Sequence, residues 1–512
     1  MKGKFTKFLS WMQALLHKLQ QIRHQINDHM RNRHSPGLMA AAVTLGCAVL
    51  IVITLFIPPY LGVANDGTVS PIMAAVGLQI PDGAADAGYN SYFVRVYKNT
   101  YPTRGPVTIQ VLLIRLARAI DFYFTRDALF DIRFLALLYT ILYLPAVYLV
   151  MHAVLSRLQY FTETMVISAA GLLFFADISY TTYFSSLYPH PLLIIGLMYL
   201  VGSAMSLQKS SKWEPLWLLL MLLSVLILCF TRKHCFLVGL WVAIFCILFL
   251  RVPDNHRTTV LLPIVSLLSL IVMFTSLLTM PADFDTTSRI HSMTRGVLLQ
   301  AGDPEKALGE FDIDGSYALL ADVSLYDGNP LTEEENGLLY ENFLDHYSPA
   351  EIGLYYMRHP DAFLSMLDLG IKSSFNLRRD YCGNYEQSTG MPVRAQSVFW
   401  SMYNFYKIRS APKTIGYLVA LIAAYILMAG KKMFNLRQVP ERFHYVYLLV
   451  MLLITMIGIS DITYIIIHSG DAQLTQFNAV MGVCMDLLLF FVLAEILYKL
   501  NILEKGKEAK TS

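Results

Sequence analysis

Ten apolar runs, each near the length that crosses a bilayer, constrain this chain more than any motif in it. In hydrocarbon every backbone N–H and C=O must find its partner within the protein, so such runs fold as helices rather than as open sheet. A span needs about 20 mainly apolar residues, and by that requirement the runs fall near 38–58, 132–151, 163–180, 190–207, 215–231, 236–251, 259–279, 412–430, 444–467 and 477–498. The chain is 55% hydrophobic and only 15% charged, which excludes a soluble globular class. An all-α polytopic membrane protein with about ten transmembrane helices is expected.

The charges orient it. Residues 1–37 carry Lys2, Lys4, Lys7, Lys18, Arg23, Arg31 and Arg33 against Asp28, with Phe5, Leu9, Met12, Leu16, Leu19 and Ile22 at three-to-four spacing. This predicts a basic amphipathic helix, lying on an anionic leaflet or packed on a cytoplasmic partner. The first run follows it directly and reads as a signal anchor. Counting from inside, Arg157, Lys209, Lys212, Arg251, Arg257, Lys431, Lys432, Arg437, Arg442 and Lys499 all fall on cytoplasmic segments, as the positive-inside rule asks. Residues 280–411 are instead acidic, with Asp283, Asp285, Asp303, Glu305, Glu310, Glu333 and Glu334 among them, and land outside. The expected location is therefore the plasma membrane, with both termini cytoplasmic.

The organisation that follows is a cytoplasmic helix over 1–37 and a seven-helix module over 38–279, whose first outside loop, 59–131, is structured. A small, mainly helical extracytoplasmic domain covers 280–411, three more spanning helices cover 412–498, and 499–512 is a cytoplasmic tail. Within the first loop Arg115, Arg118 and Asp121 recur every three residues on an apolar stretch, predicting an interfacial helix with one wet stripe. Helix starts in the outside domain are signalled at Pro304 and at Ser348-Pro349-Ala350-Glu351. Five of the six cysteines lie in or at the ends of apolar runs and only Cys382 in a polar segment, so no disulfide framework can be drawn. A net charge of +3 on so long a chain gives no argument for nucleic acid.

Charges at hydrocarbon depth are costly and point to function. Asp66 follows the first run, Asp177 ends the third, Arg232-Lys233-His234 fills the short outer turn after the fifth, and Asp461 lies within the ninth. Asn65-Asp66-Gly67 is by composition a turn that caps itself, so Asp66 is either a cap or a reactive carboxylate. The basic triplet either snorkels to headgroups or meets an anion such as a lipid phosphate. After Asp177 come Tyr180, Tyr183, Tyr188 and His190, which suit an interfacial belt or a sugar-binding surface equally. Asp283-Phe284-Asp285 matches a short metal-binding pattern, but no metal or other cofactor is expected. Phosphate-cradling glycine loops, His-Glu-x-x-His and nucleophile elbows are missing from the sequence.

A spanning helix, then an outside loop with a carboxylate, then an interfacial helix, resembles the GT-C superfamily of polytopic glycosyltransferases, most closely the bacterial WsfD-type hexose transferases of glycan biosynthesis. The resemblance rests on Tyr60 to Leu78, Asp177 to Tyr188, Arg295-Gly296-Val297-Leu298 with Gly302 to Lys306, Ser374 to Glu386 with Ala395-Gln396-Ser397, and Gly470 to Leu474 with Phe477-Asn478. The chain departs from the pattern in three places. Its first-loop acid is displaced by one position, His190 stands where an acid is expected, and Thr475-Gln476 replaces a Lys-His pair.

The resemblance implies transfer of a hexose from a polyprenyl-phosphate donor to a cell-surface glycan or related acceptor, with the active site outside. It implies catalytic roles for Asp66, as base, and Asp177, with Tyr180 and Tyr183 holding the sugar. Arg232, Lys233 and His234 would receive the leaving phosphate, joined by Arg378 or Arg379. Asn65, Tyr188, His190, Asn376, Asn384, Tyr385 and Asp471 complete the expected substrate-binding set. The donor, the acceptor and membrane lipids are the expected partners. The rival expectations are a lipid-linked sugar flippase or other transporter, and a glycan polymerase or ligase.

Overall fold

The computed structural model describes residues 18, 21, 25, 27, 35–81, 90–103, 105–158, 160–207, 212–252, 256–281, 286–324, 341–434, 436 and 439–511. Most of the basic segment before Ser35, Asp283-Phe284-Asp285, Lys209, Glu333, Glu334 and Arg437 lie outside the described residues.

Helix α1 (Pro36–Leu55) opens on a proline, whose missing N–H would have had no partner in the first turn anyway. It packs on α4 (Arg133–Leu155) and α5 (Phe161–Phe175). Among the described residues, seven helices are long and apolar enough to cross a membrane: Pro36–Leu55, Arg133–Leu155, Phe161–Ser185, Arg257–Thr279, Ile415–Lys432, Arg442–Ser469 and Ala479–Lys499. The fourth, fifth and sixth expected spans correspond to shorter apolar helices, His190–Ser206, Glu214–Cys229 and Lys233–Phe249.

Of these, α6 (His190–Ser206) is buried on nearly every side, from His190 to Met198 and again from Leu200 to Met205. Apolar character all round a helix has that consequence. Small residues set the spacing: a Cβ on Gly202 would come within 2.7 Å of Leu149, so α4 and α6 approach this closely only with glycine there. The fold is thus an all-α polytopic bundle, with α15 (Val439–Ser469) and α16 (Ala479–Thr511) packed together at its centre. None of the six cysteines is in a disulfide, and all are buried.

The first loop carries a short sheet beside its helix. The interfacial helix forms as α3 (Ile109–Thr125), capped by the Thr108 side chain, which accepts from Val111 N at 3.2 Å. Around it runs a three-stranded antiparallel sheet, β1 (Leu78–Gln79), β2 (Val96–Asn99) and β3 (Leu129–Asp131), with Leu78 opposite Asn99 and Tyr97 opposite Phe130. Strands of two to four residues are too short to leave a readable alternation.

The expected wet stripe is also corrected. Asp121 is 1% exposed and accepts from Asp131 N at 3.0 Å, tying α3 to β3, because that N–H needs an acceptor as the chain turns into α4.

Between residues 286 and 411 the predicted helix starts form. Asp303 caps Pro304–Gly309, and Ser348 with Glu351 makes a reciprocal capping box at α11 (Pro349–Arg358). The same region reaches back to the first loop: Gly62 N donates to Asn384 O at 3.1 Å and Ala64 N to Gly383 O at 2.9 Å. Arg95 bridges Asp131 and Glu386 at 2.7 and 2.9 Å. Segments more than 300 positions apart therefore frame one end of the bundle.

Candidate functional site

The turn after α1 folds as its residues dictate. Asn65 Oδ1 accepts from Gly67 N at 2.8 Å, and Gly67 sits at φ 92, where a side chain would be strained. Asp66 Oδ1 accepts from Thr68 N at 3.1 Å and from the Thr68 hydroxyl at 2.6 Å. The cap is real, but it uses only one carboxylate oxygen.

The other, Oδ2, takes a hydrogen bond and ion pair from Arg379, and the Tyr381 hydroxyl stands 3.4 Å away. The Arg379 and Asp66 side chains are 2% and 6% exposed, so the pair is almost dry. Burial pushes the Asp66 carboxyl up, but Arg379 and the bonds from Thr68 and Tyr188 outweigh it and leave it below the usual carboxylate range. Asp66 is a carboxylate at neutral pH.

Arg379 is itself held in place. Its guanidinium lies 4.2 Å over the Tyr188 ring and donates to Gln476 O at 3.1 Å, while Gln396 bonds its backbone carbonyl at 2.7 Å. Tyr188 accepts from Asp66 N at 3.0 Å and donates to Ala64 O at 2.9 Å, so one tyrosine positions both members of the pair.

Beside it, His190 at the start of α6 stacks on Tyr183 with centroids 4.1 Å apart and planes 5° off parallel. Neither His190 ring nitrogen has a hydrogen-bond partner, although the residue is 2% exposed. Its charged neighbours, Arg379, Arg232 and His234, are all basic. Arg232 and His234 both lie against Phe477, 5.4 and 5.5 Å from its ring centroid, so the end of the short helix Leu474–Phe477 joins Arg379 to the basic triplet. Lys233 is half-buried and makes no ion pair among the described residues.

The Asp461 carboxylate, read as a charge out of place, is the partner of His234: Nδ1 to Oδ1 is 2.5 Å, with Cys235 Sγ 3.6 Å from the same nitrogen. Among the described residues this is the one group of three side chains that could hold a metal ion.

Other expected site residues stand elsewhere. Asp177 is fully buried and accepts from Ser179 N at 2.8 Å and Asn404 N at 3.0 Å, clasping the end of α5 to α13 (Met402–Ser410). Tyr180 donates to Asp486 on α16, as do Tyr403 at 2.5 Å and Lys407 at 2.7 Å. Arg378 bonds Asn384 at 2.7 Å and Ser397 O at 2.8 Å, and Asn384 bonds Gly62 O at 2.7 Å, so these two join the frame. Tyr385 pairs with Leu61 across an isolated bridge, and Asn376 bonds Asp380 at 2.8 Å. Asp471 takes both its oxygens to Arg295, at 2.7 and 2.8 Å.

Sequence reading passed over Thr68 and Tyr381, although Tyr381 belongs to the quoted Arg378-Arg379-Asp380-Tyr381 block. It also passed over Asp486, a lone acid inside the last apolar run and thus as anomalous as Asp461.

No curated protein matches the sequence. Among solved structures the chain is similar to the archaeal oligosaccharyltransferase AglB from Archaeoglobus fulgidus, solved with an inhibitory peptide and a dolichol-phosphate, at 11% identity and a TM-score of 0.36. That match covers 88% of this chain and 50% of AglB, so the chain spans half the length of that protein; the likeness is too loose to bear on its chemistry. The family model described as the YfdI N-terminal transmembrane domain matches residues 24–512, and with nearly the whole sequence matched the chain belongs to that family of membrane proteins.

Proposed function

We propose that this chain is a membrane hexosyltransferase of GT-C type that moves a sugar from a polyprenyl-phosphate donor to a glycan acceptor at the outer face, with Asp66 as the base. The observation that carries the reading is the dry Asp66–Arg379 pair at the end of α1, set beside an unpartnered His190 and the cations of the 232–234 turn. A structural cap needs no arginine from another region and no basic surroundings.

In the reaction an acceptor hydroxyl oxygen attacks the anomeric carbon, and the bond from that carbon to the phosphate oxygen breaks with its electron pair going to phosphate. Asp66 orients the hydroxyl and takes its proton as the new bond forms. Its lowered proton affinity suits transfer late in the step, when attack has already acidified the hydroxyl. Lys233 and Arg232 compensate the charge on the departing phosphate, Lys as a point charge and Arg through its fork. His190 and Tyr188 supply a buried aromatic and polar wall against which a sugar ring can rest.

The test uses the full chain reconstituted in vesicles with a polyprenyl-phosphate hexose carrying a radiolabelled sugar and with acceptor glycan. Wild type should move label to the acceptor, and an inserted, correctly folded Asp66→Asn protein should not. Label transfer at the wild-type rate by that variant would remove Asp66 as the base. Crossing of the sugar lipid without acceptor would favour a transporter instead.

A further inference from the structure

The two arginines of α3 take no part in the proposed reaction, yet they line an open groove on the molecule's loop face. It measures about 460 Å³ and is walled by Arg115, Arg118, Val76, Asn99, Pro102 and Phe122. Arg115 donates to Ala75 O at 2.8 Å, and Arg118 donates to Val76 O and, at 3.2 Å, to Thr100 O. These acceptors are carbonyls, two of them at the C-terminal end of α2 (Ser70–Val76), and their partial negative charge fixes the guanidinium groups while cancelling only part of the two full positive charges. Neither arginine makes an ion pair among the described residues. Asp127, the one acid in the lining, spends an oxygen on Leu129 N at 2.9 Å, leaving the groove with two cations against one anion. Burial and the nearby Arg115 both work against the charge on Arg118, a strain that an anion in the groove would relieve.

A second stripe runs alongside on the same helix. Leu112, Leu116 and Tyr123 are 54%, 50% and 73% exposed, and Phe122, which walls the groove, is 57% exposed. Their spacing of four and seven residues puts the three on one line down α3, next to the arginine line. A helix with apolar side chains on one line and arginines on the next lies at the boundary between acyl chains and headgroups.

We infer that this groove binds the headgroup phosphate of an anionic phospholipid, whose acyl chains run along Leu112, Leu116 and Tyr123. The forked arginines match phosphate oxygens, and the contiguous apolar line matches hydrocarbon. A free phosphate would use only the first of these.

The full chain, delipidated in detergent, is titrated with phosphatidylglycerol and with phosphatidylcholine, and bound lipid is counted by native mass spectrometry. Phosphatidylglycerol should bind more tightly, and Arg115→Gln with Arg118→Gln should weaken it about thirty-fold while leaving phosphatidylcholine alone. Because those arginines also hold α2, Ala119→Asp is the second variant. Ala119 lines the groove and is exposed, and an aspartate there can pair with Arg115 one turn away without disturbing the carbonyl bonds. It should lose phosphatidylglycerol at an unchanged melting temperature, and Arg126→Gln, outside the lining, should not. Equal binding of the two lipids by wild type, full phosphatidylglycerol affinity in a normally melting Ala119→Asp protein, or displacement of the lipid by millimolar inorganic phosphate would each overturn the assignment.

Discussion

Of the buried carboxylate–cation pairs among the described residues, those of Asp486 with Lys407 and of Asp66 with Arg379 differ more in their surroundings than in the pairs themselves. Asp486 receives Lys407, Tyr180 and Tyr403, and the space left beside it, walled by Phe174, Phe175, Met198 and Val483, is about 10 Å³. That is room for at most one water. Asp66 receives Arg379 and Thr68, but its next neighbour, Tyr381, is 38% exposed, and beyond Arg379 lie His190, Arg232 and His234. One pair is closed on itself, and the other lies beside His190, whose ring nitrogens have no hydrogen-bond partner. A buried ion pair alone is weak evidence of either stability or function; what surrounds it decides.

The largest expected effect separates the two directly. Under the proposed mechanism Asp66→Asn should cut sugar transfer about 10²–10⁴-fold, the range for loss of a general base, with the protein still folded. Asp486→Asn should leave transfer within about ten-fold of wild type wherever the protein remains folded. Equal losses in the two variants, measured as label transferred per folded molecule, would erase the distinction.

Next in size is stability. Lys407→Met leaves Asp486 buried without its cation, which should destabilise the protein by about 3–5 kcal/mol, and adding Asp486→Asn should restore part of that. Thermal melting in a single detergent reads both. If the double variant melts no higher than Lys407→Met, the Asp486 charge is not what the lysine was needed for.

Lys233→Gln is expected to be milder, because the side chain is only half-buried and solvent screens it. Donor use should weaken about ten-fold, read as a raised donor KM, and the difference from wild type should narrow at high salt. An unchanged donor KM at low salt would leave the open side of the Asp66 pair without its phosphate role.

Much of this contrast could be read in the sequence, and its key partner could not. Asn65-Asp66-Gly67 announces a turn because those residue types make one locally, and Asp303 and Ser348 announce helix starts for the same reason. The apolar runs announce their helices because hydrocarbon allows the backbone nothing else. That Asp66 meets Arg379, 313 positions away, depends on how loops cross the end of the bundle, and no local pattern encodes it. Asp177 illustrates the converse. Its position after an apolar run looked as anomalous as that of Asp66, but the structure fills both its oxygens with backbone N–H groups from Ser179 and Asn404. The strands of the first loop were lost because two to four residues carry no period, and Asp121 misled because a three-residue recurrence does not say which member turns inward.

The smallest effect concerns pH and tests whether Arg379 governs Asp66. The folded pKa of Asp66 lies below its ordinary value, so the stability it contributes is complete above about pH 4 and is lost only as pH falls through that lowered value. Between about pH 5 and 8, then, Asp66 should add no slope to either melting temperature or transfer rate. Arg379→Gln removes the group that opposes burial, so the Asp66 pKa should rise, and the residual transfer should begin to fall at a higher pH than in wild type. The measurement is a pair of pH–rate profiles, normalised to folded protein. A wild-type acid limb inside that window that shifts when Asp66 is replaced by Glu would mean the carboxylate is not under the arginine's control. In that case the open pair would be no better poised for chemistry than the closed one around Asp486.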